Sequence, residues 1–82
     1  MISCNEYDYI EIACMYRYPI KLTLKSGEVL ECVALDTARN NVRKECIKVE
    51  QNGEHTLIEL DSLVSLDVLV ANPHFQSVRF SQ

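Results

Sequence analysis

Glu6, Asp8 and Glu11 fall within the stretch NEYDYIEIAC, residues 5 to 14, beside Tyr7 and Tyr9 and with no lysine or arginine among them. Carboxylates three residues apart on a helix share one face. Two chemistries suit such a face, namely proton transfer and recognition of a basic partner. Acid–base catalysis needs burial to split the proton affinities of paired carboxylates, and Asp8 and Glu11 are expected on an exposed side. Recognition needs only accessible charge next to an amphipathic ring such as Tyr7. The plain alternative is a solvated helix surface. Against it, Ile10, Ile12 and Met15 occupy the positions four residues on, where a solubilising helix normally carries lysines.

The chain of 82 residues has a net charge of −4. Residues 5 to 14 supply three of those four charges, because the remaining nine of its twelve acids face eight bases. An acidic balance opposes binding to nucleic acid by phosphate neutralisation. The bases Arg39, Arg43 and Lys44 cluster in one connection and form the alternative RNA-binding surface. Asp36 and Glu45 flank them, which favours a solvated turn.

Other site chemistries find little support. Cys4, Cys14, Cys32 and Cys46, with His55 and His74, include no C-x-x-C pair and no H-x-x-x-H spacing, so no zinc site is expected. Cys14, Cys32 and Cys46 sit in apolar segments, where a thiol behaves as a small hydrophobe. No histidine is placed by sequence to activate a cysteine. Gly27 and Gly53 are the only glycines, and both suit turns rather than a phosphate-cradling loop. The expectation is a protein that is not an enzyme and takes no cofactor.

About half the residues are apolar (48%), so the chain should fold as one small domain over residues 1–82. The first twenty positions lack a basic start followed by an apolar run. The stretch LDSLVSLDVLVA is broken by Asp61 and Asp67, well short of a membrane span. A cytoplasmic protein with reduced thiols and no membrane contact follows.

The acidic stretch should lie on a helix over about 5–17. Ser3 with Glu6 fits a capping box, and Asn5 with Asp8 fits equally well. Helical periodicity puts Tyr9, Ile10, Ile12, Ala13 and Tyr16 on the core side and Asp8 and Glu11 on the other, flanked by Tyr7 and Met15. Pro19 biases Tyr18 toward an extended conformation and stops the helix. Strands are expected over about 20–25, 29–35, 45–51, 54–60 and 62–70, with tight turns at Lys25–Glu28 and Asn52–Gly53. Residues 71–82 read as an irregular tail. The fold class is mainly β with one N-terminal helix, forming a bent sheet or partly open small barrel.

The pattern Cys4-x-x-Tyr7-Asp8-x-x-Glu11-x-Ala13-Cys14 resembles the opening signature of the Rof family. LTLKSGEVLECVALD is similar to that family's first hairpin, with Ser26 in place of an aspartate, and IKVEQNGEHTLIELDSLVSL resembles its later strands. The similarity spans residues 3 to 69. It implies an Sm-like, five-stranded antiparallel barrel behind an N-terminal helix. It also implies binding to the hexameric transcription termination factor Rho at its N-terminal primary RNA-binding site, which blocks RNA loading and inhibits termination. The contact residues implied are Tyr7, Asp8 and Glu11; Glu6 matches in charge only, and Tyr9 stands where the family carries asparagine.

Overall fold

The computed structural model describes residues 2–80. Its elements are helix α1 (Cys4–Met15) and strands β1 (Pro19–Leu24), β2 (Val29–Arg39), β3 (Glu45–Gln51), β4 (Glu54–Glu59), β5 (Leu63–Val68) and β6 (Ser77–Arg79), with a 3-10 turn at Leu60–Ser62 between β4 and β5. All six strands join one antiparallel sheet in the order β4-β3-β2-β1-β5-β6.

The expected five strands are therefore six. Part of the presumed irregular tail forms β6, which pairs Ser77, Val78 and Arg79 with Asp67, Leu66 and Ser65 of β5. Phe80 follows and is buried, its amide donating to the Val64 carbonyl at 2.9 Å. Residues 81 and 82 of that presumed tail lie outside the described residues. The sheet also remains open, since β4 and β6 are its two edges and no ladder joins them among the described residues. It is a bent sheet, not a closed barrel.

Local chemistry accounts for these elements. In β1, Ile20 and Leu22 are fully buried while Lys21 and Thr23 are half-buried, the alternation of a strand with one face inward. Gly27 (φ 93°) allows the reversal into β2, and Asn52 and Gly53 (φ 54° and 83°) both take the left-handed region that a two-residue β3–β4 hairpin requires. The spacing of buried residues breaks in β5, where Leu63 and Leu66 are both inward. A register shift between Thr23 and Leu24 of β1 absorbs the extra residue. A second shift, between Ala34 and Asp36, bends the eleven-residue β2.

Helix α1 lies against β2, with Ile10, Ala13 and Cys14 buried. They meet Ile20, Leu22, Ala34, Ile47, Leu63 and Leu66 in one core cluster. The helix is shorter than expected at its far end. Tyr16 caps it and Arg17 turns back at φ 53°. The Arg17 amide donates to the Cys14 carbonyl and the Tyr18 amide to that of Ala13, at 3.1 and 3.0 Å. That pair of bonds satisfies helix-end carbonyls and redirects the chain into β1.

Candidate docking surface on the amino-terminal helix

The N-terminal cap decides which acids remain outward. Ser3 Oγ accepts from the Glu6 amide at 3.2 Å, and Glu6 Oε1 accepts from the Ser3 amide at 2.9 Å. The reciprocal box thus forms from Ser3 and Glu6, not from Asn5 and Asp8. It also occupies the Glu6 carboxylate, which is half-buried and turned back on the helix end. Glu6 belongs to the cap, and its charge supports the positive end of the helix dipole.

Asp8 and Glu11 are exposed. Among the described residues neither has an ion-pair or side-chain hydrogen-bond partner. Each borders a cleft between the helix and the sheet. Glu11 lines one of about 470 Å³ with Cys14, Met15, Arg17, Leu35, Asp36 and Thr37. Asp8 lines another of about 430 Å³ with Ile2, Ser3, Cys4, Tyr7 and Glu45. Asp36 of β2 and Glu45 of β3 therefore widen the acidic surface beyond the helix. Helical periodicity could not reveal this, because strand pairing brings those two carboxylates to the helix. The Coulombic influence of Glu11 and Asp36 reaches the Cys14 thiol. Burial first, then these two carboxylates, push its pKa from an ordinary 9.0 to about 12.

The tyrosines differ from the periodicity reading. Tyr7, expected beside the acids, is half-buried and packs against the core cluster. It still reaches the surface, lining a recess of about 230 Å³ with Thr37, Ala38, Arg39 and Glu45. Tyr9 and Tyr16, expected inward, are 37% and 50% exposed. The reason is the size of the residues that meet β2. Ala13 and Cys14 are small, so the helix seats itself on the Ile10–Cys14 side and turns Tyr9 and Tyr16 out to its flank. There Tyr9 meets Phe75, ring centroids 4.9 Å apart, and Tyr16 stacks on His74 at 4.5 Å. Tyr9 thus faces neither the core nor open solvent alone, but the chain beyond β5.

The basic connection is shorter than expected, because β2 runs past residue 35 to Arg39; Arg43 and Lys44 follow it in a built loop. Asn40 Oδ1 accepts from the Val42 and Lys44 amides at 3.1 and 3.0 Å, and its Nδ2 donates to Glu59 Oε2 at 2.9 Å. Arg39 Nη1 donates to the Arg43 carbonyl at 3.4 Å. Arg39, Arg43 and Lys44 come together in one recess of about 250 Å³, shared with Glu45 and Asp61. Two carboxylates at that recess weaken its attraction for phosphate. Arg39 and Glu45 also line the Tyr7 recess, so the acidic helix and the basic loop are neighbours. Among the described residues no group of His, Cys, Asp and Glu has the arrangement of a metal site. Cys14, Cys32 and Cys46 are buried and Cys4 is exposed, all as free thiols. Among the described residues no helix is long and apolar enough to cross a membrane.

One short helix with outward, unpaired carboxylates on a bent six-stranded antiparallel sheet defines a small module whose exposed chemistry is charge and aromatic edge. Comparison with known proteins gives that module a family. Residues 1–80 match the sequence model of the family described as modulator of Rho-dependent transcription termination (ROF), and this chain belongs to the Rof family. That description is regulatory rather than catalytic. Protein rof of Escherichia coli (strain K12) is 40% identical over 65 residues, covering 78% of this chain and 75% of the relative, and Protein rof of Shigella flexneri matches to the same extent. A solved structure described as YaeO bound to magnesium, from Vibrio cholerae O395, superposes with a TM-score of 0.87. It is 48% identical and covers 92% of this chain and 97% of its own.

Proposed function

We propose that this protein binds transcription termination factor Rho, a hexamer, at the N-terminal primary RNA-binding site, and inhibits Rho-dependent termination by blocking RNA loading. The observation that carries the reading is the pair Asp8 and Glu11, exposed on α1 and without ionic partners among the described residues. Membership of a family that modulates Rho-dependent termination supports the choice of partner. A primary RNA-binding site is basic by necessity, since it must neutralise phosphates. Asp8 and Glu11 place carboxylates where phosphates would otherwise lie, and Tyr7 offers a ring edge between them and β2. Each exposed ion pair contributes under about 1 kcal/mol, so affinity comes from several contacts desolvated together around an aromatic anchor.

Glu6 acts through the helix cap in this reading, and Tyr9 ranks below Tyr7, Asp8 and Glu11 because Phe75 already engages it. The function needs no catalysis and no cofactor, only occupancy of the site, and it is exercised in the cytoplasm. Residues 1–82 act as one domain, and the long β2 with its register shift, behind an N-terminal helix, suits an Sm-like ancestry of the sheet.

The test is capture by purified Rho of the native protein and of a D8K/E11K variant, alongside a Rho-dependent termination assay. Binding and readthrough are expected from the native protein and neither from the variant. Undiminished binding by the variant removes the acidic-face mechanism. Tight, salt-steep binding of single-stranded RNA by the isolated protein would instead favour Arg39, Arg43 and Lys44 as its working surface.

A further inference from the structure

Tyr9 of α1 and its C-cap residue Tyr16 are seven residues apart, so they stand on one side of the helix, about 10 Å apart along its axis. Two adjacent residues beyond β5 meet them. The Phe75 ring lies against Tyr9 at 4.9 Å and 54°, and the His74 ring stacks on Tyr16 at 4.5 Å and 23°. Tyr18 completes the group, 5.5 Å from Tyr16 and 6.4 Å from His74.

The segment that presents His74 and Phe75 is organised by one side chain. Asn72 Nδ2 donates to the carbonyls of Val70 and Phe75, both at 3.0 Å. Its Oδ1 accepts from the amides of His74 and Phe75, at 2.8 and 3.1 Å. All the hydrogen-bonding capacity of the amide is used to hold the loop's shape. Both ends of the loop are tied to the sheet. The Leu69 amide donates to the Pro19 carbonyl at 2.8 Å, and the Val68 amide to that of Gln76 at 2.7 Å.

Helix α1 needs such a hold. Twelve residues do not sustain a helix in water without packing. Its fully covered residues are Ile10, Ala13 and Cys14, and two of those are small. A second set of contacts on another side resists rolling of the helix on β2.

We infer that loop 69–76, keyed by Asn72, clamps α1 through Phe75 on Tyr9 and His74 on Tyr16, and so positions Asp8 and Glu11 for the docking partner. Asn72, His74 and Phe75 are then positioning residues for the surface, not contacts. The inference rests on the docking role given to α1 above. Loosening the clamp lowers the fraction of molecules with α1 seated, and apparent affinity falls by that fraction. The loss appears in association, because the bound partner holds the helix seated once the complex has formed.

The experiment compares the full chain with Asn72→Ala, Phe75→Ala and His74→Ala variants. The last changes an exposed side chain and keeps the test available should either of the others fold poorly. Hydrogen exchange of α1 amides is measured against that of the β1 and β2 amides, and association and dissociation rates are measured with purified Rho. Expected are faster exchange confined to α1, association slowed by up to about tenfold, and unchanged dissociation. Phe75→Tyr, which keeps the ring, should restore both readouts. Unchanged α1 exchange overturns the clamp. So does faster α1 exchange with unaltered association, and so does faster dissociation alone, which would make the loop a direct contact. The D8K/E11K variant judges the docking reading separately, and the exchange measurement decides the clamp even where Rho binding is absent.

Discussion

Glu11 of α1 and Asp36 of β2 line the same cleft, and both raise the proton affinity of the Cys14 thiol between them. Carboxylates from two separate elements thus face one cleft, whose lining also includes Arg17. On the proposed docking reading, the charge that meets the partner belongs to the helix–strand junction and not to the helix alone.

That junction makes Asp36 a testable contributor. Asp36→Asn should weaken Rho binding less than D8K/E11K, because it removes one charge without reversing any. Affinity measured across a salt series should fall with rising salt for the native protein, and less steeply for Asp36→Asn. A complex indifferent to salt would mean that apolar contact dominates.

Tyr7 packs against the core cluster while lining the Arg39–Glu45 recess, so on the proposed docking reading it serves both stability and binding. Tyr7→Ala should cost about 2 kcal/mol of folding stability, below the ~3–5 kcal/mol of a fully buried aromatic. It should also speed dissociation from Rho more than it slows association. Urea denaturation and binding kinetics on the same variant check both halves.

The Ser3–Glu6 capping box satisfies two helix-end amides. Ser3→Ala should destabilise the protein by about 1 kcal/mol, and Ser3→Asp should largely preserve it, since aspartate also caps. Thermal melts followed by circular dichroism read this directly.

The buried thiols set an alkaline limit. Burial, joined at Cys14 by Asp36 and Glu11, raises Cys14 to about 12 and Cys32 to about 11, from an ordinary 9.0. The folded state therefore holds these protons more tightly than the unfolded state. Their contribution to stability is complete below about pH 9 and is lost as pH rises toward 11 to 12. Melting temperature should fall across that window, and less so in a Cys14→Ala/Cys32→Ala background. At pH 8 an alkylating reagent should modify the exposed Cys4 first.

Several features are local and therefore legible in the sequence. The Ser3–Glu6 pair, the glycines at 27 and 53, and the Ile20–Leu22 alternation act over a few residues, so their type and spacing suffice to mark two reversals, a strand and one of two candidate caps, between which only the structure chose. The mainly β class with one leading helix follows from such signals. β6 was not legible, because Ser77–Arg79 is too short to show a period and exists as a strand only through β5. The open sheet likewise depends on which edges meet, and no local pattern states that.

The sequence by itself determined that carboxylates at 8 and 11 share one helix face, because helical spacing is a property of the backbone. Only the tertiary structure decided the rotation of that helix. Periodicity allowed a broad apolar arc including Tyr9 and Tyr16, and the small side chains of Ala13 and Cys14 against β2 selected a narrower one that carries Tyr7 inward. Asp36 and Glu45 reach the acids through strand pairing across the sheet, and Phe75 and His74 reach the tyrosines through the loop that Asn72 holds between β5 and β6. Contacts of that range depend on the free energy of the whole packed core, which no short stretch of sequence encodes.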